Sequence, residues 1–417
     1  MKVVIIAGGR GTRIASVNSE IPKPMIPVGG KPVLEYQVEL AKRYGLTDFI
    51  FIVGHLSYVI KDYFGDGTKW GVNITYFCEQ TPMGTAGAIP EIAKLLDDDF
   101  FVFYGDTIMD VDLHKMLDFH QKHKSEITLF VHPNDHPYDS DIVDIDENKR
   151  LVHLYLKPHP EGFVCRNLVN ASLFILSPRI LNYIPRGQKV NFEKHVFPRC
   201  LLDGLKIYGY VSAEYIKDMG TPDRYEMVCK DVLCGKVARL NKCNPRIAVF
   251  LDRDGVINRE VHFLHDSNQL DLIAGAAEAI RIINQKGYLA IVVTNQPVIA
   301  RNMCSIEDLN NIHATLETKL GKEHAYLDAI YYCPHHPDAG YPEERKELKI
   351  DCECRKPKPG MLLQAAEDWN IDLTQSFLFG DSDSDIMAGK NAGLTKLYKI
   401  EQNVDYALLN KIKEVLL

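Results

Sequence analysis

Lys2-Val3-Val4-Ile5-Ile6-Ala7-Gly8-Gly9-Arg10-Gly11-Thr12-Arg13 is an apolar run of strand length that breaks into glycines and cations. Glycines at the exit of a buried strand allow a tight reversal and let backbone amides approach phosphate oxygens. No Gly-Lys-Ser/Thr closes the loop, so it is not a P-loop, and its glycine spacing differs from the dinucleotide fingerprint. Arg13 and, a little further on, Lys23 supply the positive charge that a polyphosphate needs. Outward from this strand the alternation continues, with a helix over 33–44, a strand over 48–53, a helix over 55–64 and a strand over 75–78. A helix over 86–96 and a strand over 100–104 follow, the latter ending in Gly105-Asp106. That order predicts βαβ units and a mixed, mostly parallel Rossmann-like sheet covered on both faces.

The pattern lapses over 236–245, a largely polar stretch that reads as a linker, and then restarts. Strands are expected over 247–251, 289–293, 329–332 and 377–379, with helices over 274–285, 306–320 and 361–369. Two α/β domains follow, 1–235 and 246–417, as suits 417 residues, more than one core usually organises. A net charge of −8 argues against a nucleic-acid surface. The opening apolar run is too short for a membrane span and has no signal-peptide cleavage pattern, so a cytoplasmic protein without a membrane partner is expected. In that compartment the ten cysteines do not imply a disulfide framework, and seven of them are scattered singly.

In the first half, Gly8-Gly9-Arg10-Gly11-Thr12-Arg13 followed by Pro22-Lys23-Pro24-Met25 resembles the signature of the sugar-1-phosphate nucleotidyltransferases. Further motifs match in order: Glu79-Gln80, Met83-Gly84-Thr85-Ala86-Gly87-Ala88, Gly105-Asp106, Asn170-Ala171 and Asp218-Met219-Gly220-Thr221-Pro222. The resemblance implies a nucleotide bound by Gly8, Gly9, Gly11, Thr12, Glu79, Gly84 and Thr85, and a sugar phosphate met by Asn170 and Lys157. Transfer of a nucleotidyl group needs charge neutralisation and in-line positioning rather than a covalent intermediate. Asp106 and Asp218 would hold Mg²⁺, Arg13 would stabilise the departing pyrophosphate, and Lys23 the α-phosphate. One aspartate at a strand end is usually a turn residue; two inside matching motifs favour the metal. The family's sugar-binding Glu-Lys pair stands here as Leu156-Lys157, without the carboxylate. Gly84-Thr85-Ala86-Gly87-Ala88 is most similar to members that use GTP.

The second half opens with Phe250-Leu251-Asp252-Arg253-Asp254-Gly255. Two carboxylates at i and i+2 of a strand exit can serve one phosphate and one Mg²⁺: Asp252 as nucleophile, Asp254 as acid and then base. In isolation such a pair is commonly a solvated turn. Here Thr294-Asn295-Gln296, Arg355-Lys356 and Gly380-Asp381-Ser382-Asp383-Ser384-Asp385 follow in order. Together they resemble the haloacid-dehalogenase superfamily, in its histidinol-phosphate and heptose-bisphosphate phosphatase branch. The resemblance implies phosphate binding by Thr294 and Asn295, charge neutralisation by Lys356, and an Mg²⁺ site of Asp252, Asp254 and Asp381. Asp385 would orient Lys356, and Arg355 would meet a second anionic group. Cys333, His335, Cys352 and Cys354 form Cys-x-His and Cys-x-Cys pairs suited to tetrahedral Zn²⁺. In the branch such a zinc loop is structural, and His336 is expected to be an exposed neighbour. Pro297-Val298 and Arg301-Asn302 depart from the branch, which has small glycine-containing turns there.

The two resemblances imply consecutive steps. A 7-phosphatase acting on D-glycero-D-manno-heptose 1,7-bisphosphate would leave heptose 1-phosphate, which a GTP-dependent transferase would convert to GDP-heptose. The alternatives are a mannose-1-phosphate guanylyltransferase joined to a histidinol-phosphatase-like enzyme, and a degenerate half that only senses nucleotide sugar. GTP or another nucleoside triphosphate and sugar phosphates are the expected partners, with homo-oligomerisation left open.

Overall fold

The computed structural model describes residues 1–9, 20–338, 340 and 343–417. The chain divides into two compact units. The first comprises Met1–Val131, Val143–Leu156 and Asn170–Asn241; the second comprises His132–Ile142, Lys157–Val169 and Lys242–Leu417.

In the first unit Lys2–Ala7 lies between Asp48–Val53 and Phe100–Tyr104, parallel to both, and Asn73–Cys78 extends the sheet on the Asp48–Val53 side. Val169–Leu176 joins antiparallel on the other side of Phe100–Tyr104, so the sheet is mixed. Side chains alternate between its faces. Val3, Ile5, Phe49, Phe51, Phe101 and Phe103 pack into one core cluster, whereas Val4, Ile50, Ile52, Phe100 and Val102 pack into another. Burial on both faces is what makes these strands read as unbroken apolar runs. Ala7 pairs with Val53, and Ile6 with Tyr104, so the residues after these strands meet at one edge.

Two sequence expectations are corrected. The 86–96 helix is a 3-10 helix, Ile89–Leu95, that begins beside Pro90, whose missing N–H favours a helix start. The preceding Gly84 and Gly87 sit under the Val190 and Gln188 carbonyls, which fixes that stretch as a turn. Within the 236–245 stretch, Lys236–Arg239 is a short helix. Val237 and Leu240 are buried against Ile26 and Val228, so apolar contacts hold a segment whose overall composition is polar.

The second unit is built on a five-stranded parallel sheet, in the order Ala329–Cys333, Leu289–Asn295, Ala248–Leu251, Phe377–Gly380, Lys396–Lys399. Leu251 pairs with both Val292 and Phe379, which brings the exits of three strands together. In open α/β sheets, the crevice beyond the strands' carboxyl ends is where ligands bind.

The same unit takes in 157–169, a segment distant in sequence from 242–417. Glu317, on the Ile306–Lys322 helix, has a side chain only 5% exposed and accepts from Arg166 Nε at 2.7 Å and Asn167 N at 2.9 Å. Thr318 Oγ1 accepts from Cys165 N at 3.1 Å. Removing one partner of a buried pair leaves a charge without compensation, though the Arg166 side chain is 37% exposed and water can replace part of the loss. Arg166→Met is expected to destabilise this unit by about 2 kcal/mol. Urea unfolding of the full chain checks it, and an unchanged midpoint would make the segment a passive passenger.

Candidate active sites

In the first unit the glycine turn is sterically committed. A Cβ on Gly8 would lie 2.1 Å from Glu79 Oε2, and one on Gly54 2.8 Å from the Gly8 carbonyl oxygen. A side chain at Gly8 would displace the Glu79 carboxylate, and one at Gly54 would push against the Gly8 backbone itself. Burial raises the Glu79 carboxyl above its ordinary value, and the Met83 amide, 3.3 Å from Oε1, works against that. Gly84 has φ +79°, and a Cβ there would lie 2.4 Å from the Val190 carbonyl oxygen. Thr85 accepts from Phe192 N at 3.0 Å, which ties the Met83–Ala88 loop to the opposite wall. Glu79, Gly84 and Thr85 thus belong to one rim with Gly8. Gly9 is exposed beside them. Gly11, Thr12 and Arg13 lie outside the described residues.

The two aspartates are brought together by an antiparallel arm. Thr107–Asp110 pairs with Tyr215–Asp218 in the register Thr107↔Asp218, and Met219 N donates to the Asp106 carbonyl at 3.0 Å. Asp106 forms an ion pair with Lys23. Asp218 accepts from Arg224 Nη1 at 2.7 Å and Gly220 N at 2.7 Å. Burial works to raise the Asp218 carboxyl, but Arg224, the Gly220 amide and Lys23 together hold it below the usual range. Lys23 therefore acts on both acids, the arrangement expected where a hard cation and a phosphate share a site. The Asn170 side-chain oxygen is buried and has no protein partner, which leaves an acceptor for a ligand hydroxyl. Lys157 belongs to the second unit, where its Nζ meets the Asp139 carbonyl at 2.7 Å and Oδ1 at 3.3 Å.

In the second unit Lys356 is the hub. Its buried ammonium lies 2.9 Å from Asp252 Oδ1 and 2.5 Å from Asp385 Oδ1, and donates to the Val293 carbonyl at 2.8 Å. Burial disfavours the ammonium, yet Asp252 and Asp385 outweigh it and raise Lys356 above its ordinary value. Asp385 opens the Asp383–Asn391 helix in a capping box, with Oδ2 accepting from Ser382 Oγ at 2.7 Å and Ser382 N at 3.0 Å. Both its oxygens are engaged, which fits it for orienting Lys356. Asp252, Asp381 and Asp385 offer oxygens within 4.8 Å of one another. With Asp385 committed, Asp252 and Asp381 present the hard carboxylate pair that a divalent cation takes. Gly255, φ +81°, makes room, since a Cβ there would lie 2.3 Å from Asp381 Oδ2.

Asp254, expected among the Mg²⁺ ligands, is not in this cluster. Its carboxylate turns to Arg253, to Asn258 Nδ2 at 2.9 Å and to Gln296 Nε2 at 2.8 Å. Thr294 Oγ1 accepts from Gln296 Nε2 at 2.9 Å. Asn295 spends its side chain on the Lys356 backbone, accepting from its N–H and donating to its carbonyl, each at 3.1 Å. Sequence reasoning gave no role to Arg253, Asn258, Gln296 or His313; a charged residue wedged between two acids was the available signal for the first.

Cys333, His335, Cys352 and Cys354 converge, with sulfurs 3.2 to 3.5 Å apart and His335 Nδ1 3.3 Å from Cys354 Sγ. A tetrahedron with Zn–S of about 2.3 Å has sulfur–sulfur edges of roughly 3.8 Å, close to this spacing. The cluster can hold a metal. Arg355 Nη1 donates to the His335 carbonyl at 3.1 Å and so hangs on the loop. His336, expected exposed, is buried: its N–H donates to the Leu348 carbonyl at 3.2 Å, which folds the loop over it.

Comparisons with known proteins match the two halves of the sequence separately. A nucleotidyl transferase family model matches residues 2–234, and a HAD-hydrolase-like model matches 353–398. The mannose-1-phosphate guanylyltransferase of Mycobacterium tuberculosis is 35% identical over 234 residues, 56% of this chain and 64% of that protein. The chain thus spans less than two thirds of that relative's length. The D-glycero-beta-D-manno-heptose-1,7-bisphosphate 7-phosphatase of Pasteurella multocida is 43% identical over 145 residues, 35% of this chain and 76% of that protein. The crystal structure of D,D-heptose 1.7-bisphosphate phosphatase from B. bronchiseptica, complexed with magnesium and phosphate, is 30% identical with a TM-score of 0.34, covering 40% of this chain and 86% of that one. Among the described residues no helix is long and apolar enough to cross a membrane.

Proposed function

Because the chain belongs to the nucleotidyl transferase family through its first half and to the heptose-bisphosphate phosphatases through its second, we propose that it performs two consecutive steps on one sugar. The second half removes the 7-phosphate of D-glycero-D-manno-heptose 1,7-bisphosphate. The first half transfers the guanylyl group of GTP to the resulting heptose 1-phosphate, giving GDP-heptose and pyrophosphate. The cytoplasm is the natural site for both. The observation that carries the phosphatase reading is the grip of one buried ammonium, Lys356, on Asp252 and Asp385 beside Asp381.

Asp252 attacks phosphorus, the bond to the sugar oxygen breaks, and Asp254 gives that oxygen its proton. Water then attacks the aspartyl-phosphate, with Asp254 taking a proton, and phosphate leaves as the Asp252 carboxylate is restored. Thr294 and Lys356 hold the phosphoryl oxygens, and Arg355 meets the second phosphate. Asp252 and Asp381 would hold Mg²⁺, which would supply positive charge to the phosphoryl group. In the first half Lys23 takes the α-phosphate, and Arg13 with the Gly8–Gly11 amides takes the pyrophosphate. Asp106 and Asp218 suit a second Mg²⁺, Asn170 orients the sugar phosphate, and Glu79, Gly84 and Thr85 receive the nucleotide. Zn²⁺ in the Cys333–His335–Cys352–Cys354 cluster is structural.

Incubating the protein with the bisphosphate, GTP and Mg²⁺ should release phosphate and pyrophosphate and yield GDP-heptose. Phosphate without nucleotide sugar would sink the coupled reading. The likeness to a mannose-1-phosphate guanylyltransferase supports a second acceptor, mannose 1-phosphate, which the same assay tests.

Burial pushes Asp252 up to about 7, although Lys356 pulls the other way. A carboxyl raised by folding favours the fold in acid, and that contribution is lost as pH rises from its unfolded value through about 7. A cation that binds ionised Asp252 offsets the loss. The rise in Tm on adding Mg²⁺ is therefore expected to be larger at pH 8 than at pH 5. Equal rises would remove Asp252 from the cation site.

A further inference from the structure

Arg253, between the two motif aspartates, is the largest fully buried side chain among the described residues. An arginine cannot shed its charge, so burying one demands acceptors on every side. It finds them in one carboxylate and one ring. Nε and Nη2 reach Asp254 Oδ1 at 3.1 and 3.0 Å, and Nη2 reaches Oδ2 at 2.8 Å. Nη1 points the opposite way, 3.2 Å from His313 Nε2 on the Ile306–Lys322 helix. Guanidinium only donates, so His313 offers a lone pair at Nε2 and carries its proton on Nδ1. The imidazole is 1% exposed and neutral, the form that a positively charged neighbour requires.

On top of the reading of this half as an aspartate-nucleophile phosphatase, we propose that Arg253 is a positioning residue for Asp254, anchored by His313, and that Oδ2 is the oxygen that carries the proton. Oδ1 accepts from Arg253 Nε, Arg253 Nη2 and Asn258 Nδ2, which saturates its lone pairs. Oδ2 accepts from Arg253 Nη2 and Gln296 Nε2 only. Gln296 has a second acceptor in Thr294 Oγ1, 2.9 Å away, and can fall back on it when Oδ2 is protonated. The fork thus stops the carboxylate from turning and makes Oδ2, the oxygen with fewer donors, the one that exchanges a proton with the leaving group. Without His313 the guanidinium loses its far anchor, and the fork loses its aim.

Leaving groups separate positioning from bulk structure. Phenolate needs a proton to depart; p-nitrophenolate departs without one. kcat/KM reads only the steps up to that departure. Full-length protein with Mg²⁺ is assayed on phenyl phosphate and p-nitrophenyl phosphate. His313→Leu is expected to lose about 10- to 100-fold in kcat/KM on phenyl phosphate and less than about threefold on p-nitrophenyl phosphate. His313→Gln, which returns an acceptor oxygen, should recover most of the difference. If thermal melting shows that His313→Leu does not fold, Arg253→Lys carries the same comparison, since it keeps the charge but not the fork. Equal losses on both esters would overturn the positioning role while leaving the phosphatase standing. A wild-type protein that releases phosphate neither from these esters nor from the heptose bisphosphate would overturn the phosphatase reading and the inference with it.

Discussion

Asp252→Asn is expected to lower phosphate release by more than about 10⁴-fold while pyrophosphate release from GTP and a supplied sugar 1-phosphate continues. An amide matches the carboxylate in shape but offers no nucleophilic oxyanion, so no aspartyl-phosphate forms. The fold should tolerate the change. Lys356 retains Asp385 Oδ1 at 2.5 Å and the Val293 carbonyl at 2.8 Å, and the variant no longer ionises a buried group. Asp106→Asn should do the reverse, halting nucleotide transfer and sparing phosphate release. Its loss frees Lys23 and removes one of the two acids that the Thr107↔Asp218 register brings together. The pair of variants also separates two enzymes from one enzyme with a sensing half. If Asp106→Asn left nucleotide-sugar formation intact and altered only the phosphatase, the first half would be a sensor.

The strands were legible because their burial is two-sided. Lys2–Ala7, Asp48–Val53 and Phe100–Tyr104 are apolar throughout, and the glycines and acids at their exits announce the site. Three things were not legible. Alternation does not distinguish an α-helix from the 3-10 helix at Ile89–Leu95, which Pro90 and two close-packed glycines decide. Motif order names Asp254 but not the direction of its carboxylate, which depends on Asn258, Gln296 and the remote His313. Nor does chain order say which unit owns a loop: Arg166 lies inside the first half of the sequence, yet its Nε bonds to Glu317. The last of these is a long-range pairing of one cation with one buried acid, and no local pattern encodes it.

Stripping the cysteine–histidine cluster is expected to raise KM of the phosphatase by about 10- to 100-fold while kcat changes much less and nucleotide transfer is untouched. Burial and the neighbouring Cys354 and Cys352 thiols push the Cys333 thiol well above its ordinary value, so three thiolates are stable together only around a cation. Between Cys333 and Cys352 the described chain has one short 3-10 helix, Lys346–Leu348, and is otherwise held by separate contacts such as the Lys349–Glu344 ion pair at 2.8 Å and the Arg345 Nε to Asn302 bond at 2.9 Å. Arg355 hangs on this loop through the His335 carbonyl, so its guanidinium drifts when the cluster opens. Lys356 does not. Asn295 clamps its backbone, and Asp252, Asp385 and Val293 hold its ammonium, on the strands, a strand exit and the Asp383–Asn391 helix rather than on the loop. The substrate's second anion therefore loses its partner while the reacting phosphate keeps its own. Cys352→Ser, or a zinc chelator in saturating Mg²⁺, tests this through KM and kcat measured separately, with released metal followed by a dye. A fall in kcat at constant KM would make the cluster part of the chemistry, and full activity with no metal released would make it a cluster of ordinary thiols.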